Sequence, residues 1–282
     1  EMKRCPGCGN HCMITLTRFN DGRAFVSGNR CERGASLMLT GKSAPHSSLP
    51  NMYRWKEDVI WHRRPLSPKE AKRGTVGIPR VLNMYEDFPF WHAFFGRLGY
   101  RVLTSSEQIR EISTEAMETI PSYSECFPAK LAHTHVADLA KHHPDFIWYP
   151  CIDKGPDEGS TNSYHCPMVA SYPENIEANM DEILGKYKVK LLHPFLPLHA
   201  PKPLLKQLKK VFAPMGISSS ELRSAIYAGE AAEREYKGRL LAETKRVLAE
   251  IGEKHEIGIV LAGRPYHVDP AVNHSIPDLI NQ

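Results

Sequence analysis

Four of the chain's seven cysteines lie within its first 31 residues, where their spacing suits a metal ion or an iron–sulfur cluster. They are Cys5, Cys8, Cys12 and Cys31. Glycines separate the first three, so the backbone can turn tightly and bring their thiols to one point. Structural zinc sites usually take ligands in two pairs, whereas a [4Fe-4S] cluster takes four thiolates. The split into three close cysteines and one distant cysteine favours the cluster. Zinc at the same four residues and buried, unligated thiols are the alternatives.

Three further cysteines stand where strands are predicted to end or helices to begin. Cys126 precedes a predicted helix, Cys151 closes the apolar strand "FIWYPCI", and Cys166 precedes Pro167. In a parallel α/β sheet such positions meet at one edge, where helix N-termini favour thiolates over thiols. Three thiolates would hold a [4Fe-4S] cluster and leave one iron open to water or substrate. The alternative is that each cysteine is a small buried residue beside the sheet.

The elements that must position these cysteines form a pattern that starts near Thr75. "TVGIPRVLN" is strand-like, "PFWHAFFGRLG" places apolar residues at the steps of a core-facing helix that Gly99 can end, and "YRVLTS" is again strand-like. A long helix or helix pair is predicted from Ser219 to Glu253, capped by Ser219 or Ser220. We therefore predict an α/β fold with a largely parallel sheet layered with helices, preceded by a small cysteine-rich module.

Composition divides the chain into four predicted parts. Residues 1–41 form the four-cysteine cluster module, with a hairpin turning at Asn20-Asp21-Gly22, and residues 42–73 form a linker with little periodicity. Residues 74–253 form the α/β domain, and residues 254–282 begin a second, truncated α/β half with a strand and turn in "EIGIVLAGRPYH". Because the chain begins with Glu and stops within "PDLINQ", we interpret it as a piece of a longer protein.

Charge and composition exclude several classes of protein. Lys and Arg number 36 against 32 Asp and Glu, a formal net charge of +4 without a long basic arm, which argues against a nucleic-acid partner. We find no signal-peptide pattern and no apolar run of about eighteen residues, so we predict no membrane association and assign the cytoplasm as the default compartment. In a reducing cytosol, cysteines more often bind metals than form disulfides.

Two resemblances to known families extend these predictions. The C-x2-C-x3-C motif, the hairpin and "CERG" resemble the N-terminal iron–sulfur segment of molybdopterin oxidoreductases, in which a basic residue matching Arg33 lies near the cluster. From this resemblance we take only the type of cluster, and we assign no molybdenum to this chain. Segments such as "IPSYSECFPAKLAHTHVADL" and "VLAGRPYHVDPAVNHSIPDLI" resemble the CoA-enzyme-activase-associated domain of the 2-hydroxyglutaryl-CoA dehydratase activator group. The proteins of this group are acyl-CoA dehydratase activase-related. The four-cysteine module fits the same proteins.

The second resemblance implies a cofactor, a function and partners. Related dehydratase and benzoyl-CoA reductase subunits hold a [4Fe-4S] cluster on three cysteines, which makes Cys126, Cys151 and Cys166 the matching ligands. The implied function is that of an iron–sulfur component in anaerobic, ATP-driven, low-potential electron transfer to an acyl-CoA dehydratase, rather than of a complete enzyme. The implied partners are an ATPase activator domain and a dehydratase-like portion of the same or a companion polypeptide. The alternative is a zinc-stabilised interaction domain that docks these portions without chemistry of its own.

Other residues are weaker candidates. Lys130, one turn after Cys126, and Arg264, after a predicted strand, could bind an acidic group of a substrate, although a solvated lysine and a structural salt bridge are the ordinary alternatives. The segment "DEGST" at residues 157–161 resembles a phosphate-binding turn but follows no hydrophobic strand, so ATP is assigned to a separate domain only. Four histidines of one helical region are predicted to lie on the surface: His133, His135, His142 and His143.

Overall fold

A computed structural model of the chain describes residues 1–6, 11–29, 32–41, 49–156, 159 and 162–281. Two predicted ligands, Cys8 and Cys31, and the side chain of Arg33 lie outside the described part, as does most of "DEGST". Predictions that rest on these residues therefore stay predictions.

The N-terminal residues form a three-stranded antiparallel sheet in the order β1-β2-β3. Its strands are β1 (Met2–Arg4), β2 (Met13–Arg18) and β3 (Ala24–Ser27), and helix α1 (Glu32–Thr40) packs against β2 and β3. The predicted hairpin is confirmed, because β2 and β3 pair across a turn in which Gly22 has φ +85°. Few residues of this small sheet are buried, chiefly Cys5, Ile14 and Leu16.

The segment predicted to be an aperiodic linker contains helix α2 (Met52–Trp61). Asn51 caps α2, since its side-chain oxygen accepts hydrogen bonds from the amides of Tyr53 and Arg54. The expectation of little regular structure is wrong here. The three residues at the C-terminal end of the helix, Val59 to Trp61, are buried in the main hydrophobic core, and this tertiary packing outweighs the weak local pattern.

The central sheet has four strands, all parallel, in the order β5-β4-β6-β7. Each strand is connected to the next by one or more helices, so the predicted α/β fold with a parallel sheet is confirmed. In chain order the elements are β4 (Thr75–Ile78), α3 (Met84–Leu98), β5 (Arg101–Thr104), α4 (Thr114–Met117), α5 (Phe127–Lys141), β6 (Phe146–Trp148), α6 (Pro167–Asn179), α7 (Asp181–Tyr187) and β7 (Lys190–Leu192).

Helix α3 supplies the aromatic centre of the core, as its helical spacing predicts. Trp91, Phe94 and Phe95 are fully buried, and Trp91 meets Trp148 of β6 edge to face with ring centroids 5.1 Å apart. Gly99 ends α3 in the left-handed conformation, at φ +89°, and its amide donates to the carbonyl of Phe95. The first β-α-β unit of the sheet therefore has the predicted bounds to within a few residues.

The C-terminal third begins with α8 (Pro201–Phe212) and a single long helix, α9 (Ser219–Lys254). The cap of α9 is Ser218 rather than either predicted serine. The Ser218 hydroxyl accepts from the amide of Glu221, and the Glu221 carboxylate accepts from the amide of Ser218, which completes a capping box. Of the helices in the described part of the chain, none combines the length and apolar character needed to span a bilayer.

After α9 the chain has no strand in residues 256–264, so the strand predicted there is wrong. Ile257 and Val260 are each 92 % exposed, and these residues pair with no sheet. An apolar run becomes a strand only where another strand edge offers hydrogen bonds. The following residues form a 3-10 helix and two short helices: Pro265–Val268, α10 (Pro270–Asn273) and α11 (Ile276–Ile280).

Candidate functional site at the carboxyl edge of the parallel sheet

Cys126 and Cys166 occupy equivalent positions at the starts of two helices. Each is the N-cap residue, with extended backbone angles of −67° and 148° for Cys126 before α5 and −66° and 153° for Cys166 before α6. A proline follows within two residues of each, which suits the first turn of a helix. Within the described part of the chain neither thiol makes a capping hydrogen bond. Both sulfur atoms are therefore available to a ligand beside the positive end of a helix dipole.

Cys151 lies just beyond β6, on the same edge of the sheet. Its amide donates to the carbonyl of Pro194 at 3.0 Å and its carbonyl accepts from the amide of Leu196 at 2.9 Å, so the chain around Cys151 is held against the end of β7. The residue is fully buried. Burial, together with the nearby carboxylate of Glu174, raises the pKa of the Cys151 thiol to about 12. The environment of Cys151 therefore favours the neutral thiol.

Two tyrosines indicate where the three cysteines lie. Burial raises the pKa of Tyr149, and electrostatic interactions with Cys151 and Cys126 raise it further. Burial likewise raises the pKa of Tyr266, with added contributions from Cys166 and Cys126. Cys126 therefore lies in the neighbourhood of both tyrosines, with Cys151 near the first and Cys166 near the second. The role of the three cysteines as ligands stays a prediction.

The hydroxyl of Tyr149 provides a test of what this region can hold. It is fully buried and has no hydrogen-bond partner among the described residues. A buried donor without a partner costs roughly 1–3 kcal/mol, so it calls for an acceptor that is part of the functional state. Three thiolate donors match an iron–sulfur cluster, and a cluster sulfide would offer Tyr149 such an acceptor. The residues present therefore fit the cluster predicted from the sequence.

A chain of hydrogen bonds fixes the start of α5 against α6. The hydroxyl of Tyr172 donates to the carboxylate of Glu125, the residue before Cys126. The ring of His133 bonds the Tyr172 hydroxyl through Nε2 at 2.9 Å and the Thr119 hydroxyl through Nδ1 at 2.7 Å. Since Tyr172 and Glu125 come from the two elements that carry Cys166 and Cys126, this network sets the separation of the two thiols.

The predicted surface position is wrong for two of the four histidines. His133 and His135 are buried, and burial lowers the pKa of His133 to about 4 and that of His135 to about 3. Nδ1 of His135 lies 2.7 Å from the hydroxyl of Ser105, just after β5. Helix α5 packs against the sheet as well as against α4, α6 and α7, so both sides of the helix are covered. His142 and His143, at its end, are exposed as predicted.

The two candidate substrate-binding residues differ in their surroundings. The ammonium of Lys130 donates to the carbonyl of Tyr123 at 2.6 Å and so ties down the loop that leads to Cys126. Arg264 is exposed; its positive charge partly opposes the rise that burial causes in the pKa of Tyr266, and it adds to the lowering of the pKa of His165, which is due chiefly to burial. Arg264 therefore lies near both residues, and its binding of an acidic group stays a prediction.

The N-terminal site is only partly described. The amide of Cys5 donates to the carbonyl of Cys12 at 2.8 Å, so these two predicted ligands lie side by side. Cys5 is buried and Cys12 half-buried. A methyl group added at Gly34 would lie 3.4 Å from the Cys5 sulfur, so α1, which follows Cys31 in the chain, approaches the same thiol. The predicted four-cysteine ligand set extends beyond the described residues.

Two functional candidates were missed in the sequence. The carboxylate of Glu174, on α6, and the imidazole of His193, just after β7, lie beside the Cys151 thiol, and the three ligand atoms are all within 4.8 Å of one another. Nδ1 of His193 is 2.8 Å from the Glu174 carboxylate. His193 could have been found from its place at the end of the strand-like run "KVKLLHPFL", where parallel strands carry ligands. Nothing in the local sequence marks Glu174.

Comparison with known proteins adds a family to this geometry. Searches of curated proteins and of solved structures found no significant match. Residues 75–282 match the family described as the CoA enzyme activase uncharacterised domain (DUF2229). The match begins at β4 and includes the whole parallel sheet together with Cys126, Cys151 and Cys166. Since it covers well over half of the chain, this protein belongs to the CoA enzyme activase uncharacterised domain family.

Proposed function

We propose that this chain is an iron–sulfur component of ATP-driven, low-potential electron transfer in an acyl-CoA dehydratase activation system. Its family associates it with such a system. The observation that carries the proposal is that Cys126 and Cys151 lie near the unpartnered hydroxyl of Tyr149, while Cys126 and Cys166 lie near Tyr266. In this proposal the three thiolates hold one [4Fe-4S] cluster, and the N-terminal cysteines Cys5, Cys8, Cys12 and Cys31 hold a second.

The residues of the chain have separate tasks at the three-cysteine site. A bound cluster supplies one-electron chemistry and, with three protein ligands, one iron open to another ligand. The N-termini of α5 and α6 stabilise negative charge at Cys126 and Cys166. Tyr149 donates a hydrogen bond into the site and, with Tyr172, which is also buried, keeps water out. Arg264 meets an acidic group at the rim, and Lys130 fixes the loop before Cys126.

The partners follow from the same proposal. Electrons of low potential must be supplied by a step driven by ATP hydrolysis, which we assign to an ATPase activator domain of the same or a companion polypeptide. The acceptor is a dehydratase-like portion that acts on an acyl-CoA thioester. The four-cysteine module and the three-cysteine site would then be two successive carriers on one chain.

The decisive experiment is an assay of iron, sulfide and zinc in the chain purified under strict anaerobiosis. We expect about eight irons per chain, because two cubanes hold four irons each. Cys126→Ala, Cys151→Ala and Cys166→Ala should each remove about four irons, whereas Cys5→Ala should remove the other four. Ser124→Ala, in the same exposed loop as Cys126, is the matched control and should keep all of the iron.

Two outcomes would contradict the proposal. Iron content that is unchanged in all three variants would refute the ligand assignment at the sheet edge. One zinc per chain without sulfide would instead support a zinc-stabilised domain that docks the ATPase and dehydratase portions.

A further inference from the structure

Cys151 belongs to a second set of side chains of metal-ligand types that contains no other cysteine. Its partners are Glu174 and His193, and the sulfur, carboxylate oxygen and imidazole nitrogen all lie within 4.8 Å of one another. The three residues come from three elements, namely the end of β6, the outer part of α6 and the end of β7. Cys151 is buried, His193 half-buried and Glu174 exposed, so the set reaches from the core to the surface.

We propose that Cys151, Glu174 and His193 bind one divalent metal ion of the zinc class when no iron–sulfur cluster engages Cys151. Thiolate, imidazole and carboxylate are the three ligand types that Zn²⁺ takes in proteins. A site with three protein ligands leaves the fourth tetrahedral position to water or to a small ligand. Mg²⁺ and Ca²⁺ fit poorly, because both prefer oxygen ligands.

The backbone holds two of the ligands in fixed positions before any ion arrives. Cys151 is bridged to Phe195 across the ends of β6 and β7, and Pro150 and Pro194 restrict the chain beside Cys151 and His193. Because both ligands lie just after the ends of adjacent parallel strands, binding an ion requires little reordering of the backbone.

Electrostatics at the set also favour a cation. The Cys151 sulfur and the Glu174 carboxylate lie within 4.8 Å of each other, so two negative charges would meet there when both groups are ionised. Nδ1 of His193 already lies 2.8 Å from the Glu174 carboxylate, so the imidazole and the carboxylate face one point. A divalent ion there would neutralise both acids and allow the Cys151 thiol to ionise.

This inference shares one residue with the proposed cluster but does not rest on it. Cys126 and Cys166 have no part in the zinc-class site, whereas Glu174 and His193 have no part in the cluster. A single Cys151 thiolate is assigned to one centre at a time, so the two modes are alternatives. The two sets of variants therefore separate the two proposals.

The test is a titration of the full chain, freed of metal and kept reduced, with Co²⁺ followed by displacement with Zn²⁺. The N-terminal cysteines can bind an ion of their own, so the signal is the difference between the unmodified chain and Cys151→Ala. We expect this difference to contain one equivalent of Co²⁺ with a thiolate charge-transfer band. His193→Ala and Glu174→Gln should lower the affinity for that Co²⁺ equivalent by at least about tenfold. Even residues that only orient metal ligands contribute about 10–100-fold to metal affinity.

The matched control is Glu177→Gln, an exposed residue one turn further along α6, which should bind Co²⁺ as the unmodified chain does. Cys126→Ala and Cys166→Ala should also keep the equivalent. If His193→Ala and Glu174→Gln bind Co²⁺ unchanged, the inference is wrong. If Cys126→Ala or Cys166→Ala instead abolishes binding of this Co²⁺ equivalent as completely as Cys151→Ala does, the ion is held by the three cysteines. That outcome overturns this inference but agrees with the proposed cluster ligands. Thermal unfolding of each variant in the metal-free state shows whether a lost signal reflects a lost fold.

Discussion

Tyr149 and Tyr172 are buried close to Cys126, yet their hydroxyl groups stand in opposite situations. That of Tyr172 is bonded to His133 and Glu125, whereas that of Tyr149 has no partner among the described residues. A buried polar group stabilises a fold only when it is paired. The Tyr149 hydroxyl therefore has no stabilising role in the metal-free protein, and in the proposed function it donates to a group bound beside it.

Replacing each tyrosine with phenylalanine should separate these roles. Tyr149→Phe removes an unpaired donor and should leave the free energy of unfolding of the cluster-free protein unchanged or higher by up to about 2 kcal/mol. Tyr172→Phe leaves Nε2 of the buried His133 ring without its partner and should lower the free energy of unfolding by about 1–3 kcal/mol. Urea unfolding measures both changes. An equal loss of stability in the two variants would show that the Tyr149 hydroxyl is paired within the chain.

The buried His135 makes stability depend on pH. Burial is the main reason that its pKa is lowered to about 3, and the charges of Arg80 and Arg110 add to it. Between about pH 6.5 and 3 the unfolded chain therefore binds a proton at His135 that the folded chain does not. The free energy of unfolding should fall as the pH is lowered through this window, by up to about 1.4 kcal/mol per pH unit from this residue.

The variant His135→Gln isolates this contribution. Between pH 6 and 4 the free energy of unfolding of this variant should fall less steeply than that of the unmodified chain. The difference between the two slopes should be close to the value for one bound proton, about 1.4 kcal/mol per pH unit. The buried carboxyl groups of Asp87 and Asp269 have raised pKa values and act with the opposite sign, but they are common to both proteins. Parallel stability curves for the two proteins across this range would contradict the prediction.

At the scale of elements, the largest packing contact in the described structure is that between α3 and the first half of α9. It depends on Gly229, where an added Cβ would lie 2.7 Å from two ring atoms of Phe90. Such a distance is too short for a real contact, so the two helices can approach this closely only with glycine at this position. Helical glycine is otherwise unfavourable by about 1 kcal/mol relative to alanine.

Gly229→Ala should therefore destabilise the protein by about 1–3 kcal/mol, because overpacking outweighs the gain in helix propensity. The matched control is Gly238→Ala on the same helix, where no described atom lies within 4 Å of the added Cβ. That variant should be neutral or gain up to about 1 kcal/mol. Thermal unfolding of the pair provides the measurement, and a stabilised Gly229→Ala would mean that the helices are less closely packed.

At the scale of the whole molecule, the segment after α9 lies beside the cysteine region and is hydrogen-bonded to the start of α2. The carboxylate of Asp278, on α11, accepts from Asn51 at 2.8 Å and from Arg54 at 2.5 Å. Two residues of the same segment reach inward, since Asp269 is buried and Tyr266 lies near Cys126 and Cys166. Residues more than two hundred positions apart thus hold one wall of the candidate site.

Asp278→Ala should loosen this wall without unfolding the core. Because Arg54 is half exposed, the lost contacts should amount to only about 1 kcal/mol. Amide exchange should speed up in residues 265–281 and at the start of α2, while the strands of the parallel sheet exchange as before. Glu253→Ala, exposed at the end of α9, is the control and should change neither. Faster exchange in β4 or β6 would show that Asp278 supports the whole domain instead.

Local sequence was sufficient for the strands and helices of the parallel sheet and for part of the candidate site. The alternation of strand-like and helix-like stretches predicted the parallel sheet, and Gly22 and Gly99 marked turns that need left-handed backbone. The positions of Cys126, Cys151 and Cys166 at helix starts and a strand end could be predicted for the same reason. Periodicity, caps and turn residues act over a few residues, so they can be recognised in the amino-acid sequence alone.

Only the tertiary structure decided which side chains meet and which stretches are covered. Glu174 and His193 join Cys151 because α6 and the ends of two neighbouring strands pack together, and no local pattern encodes that meeting. His133 and His135 are buried because other helices cover α5, whereas residues 256–264 stay exposed because no strand edge is offered to them. Burial and pairing are properties of surfaces brought together from distant parts of the chain, and folding alone determines them.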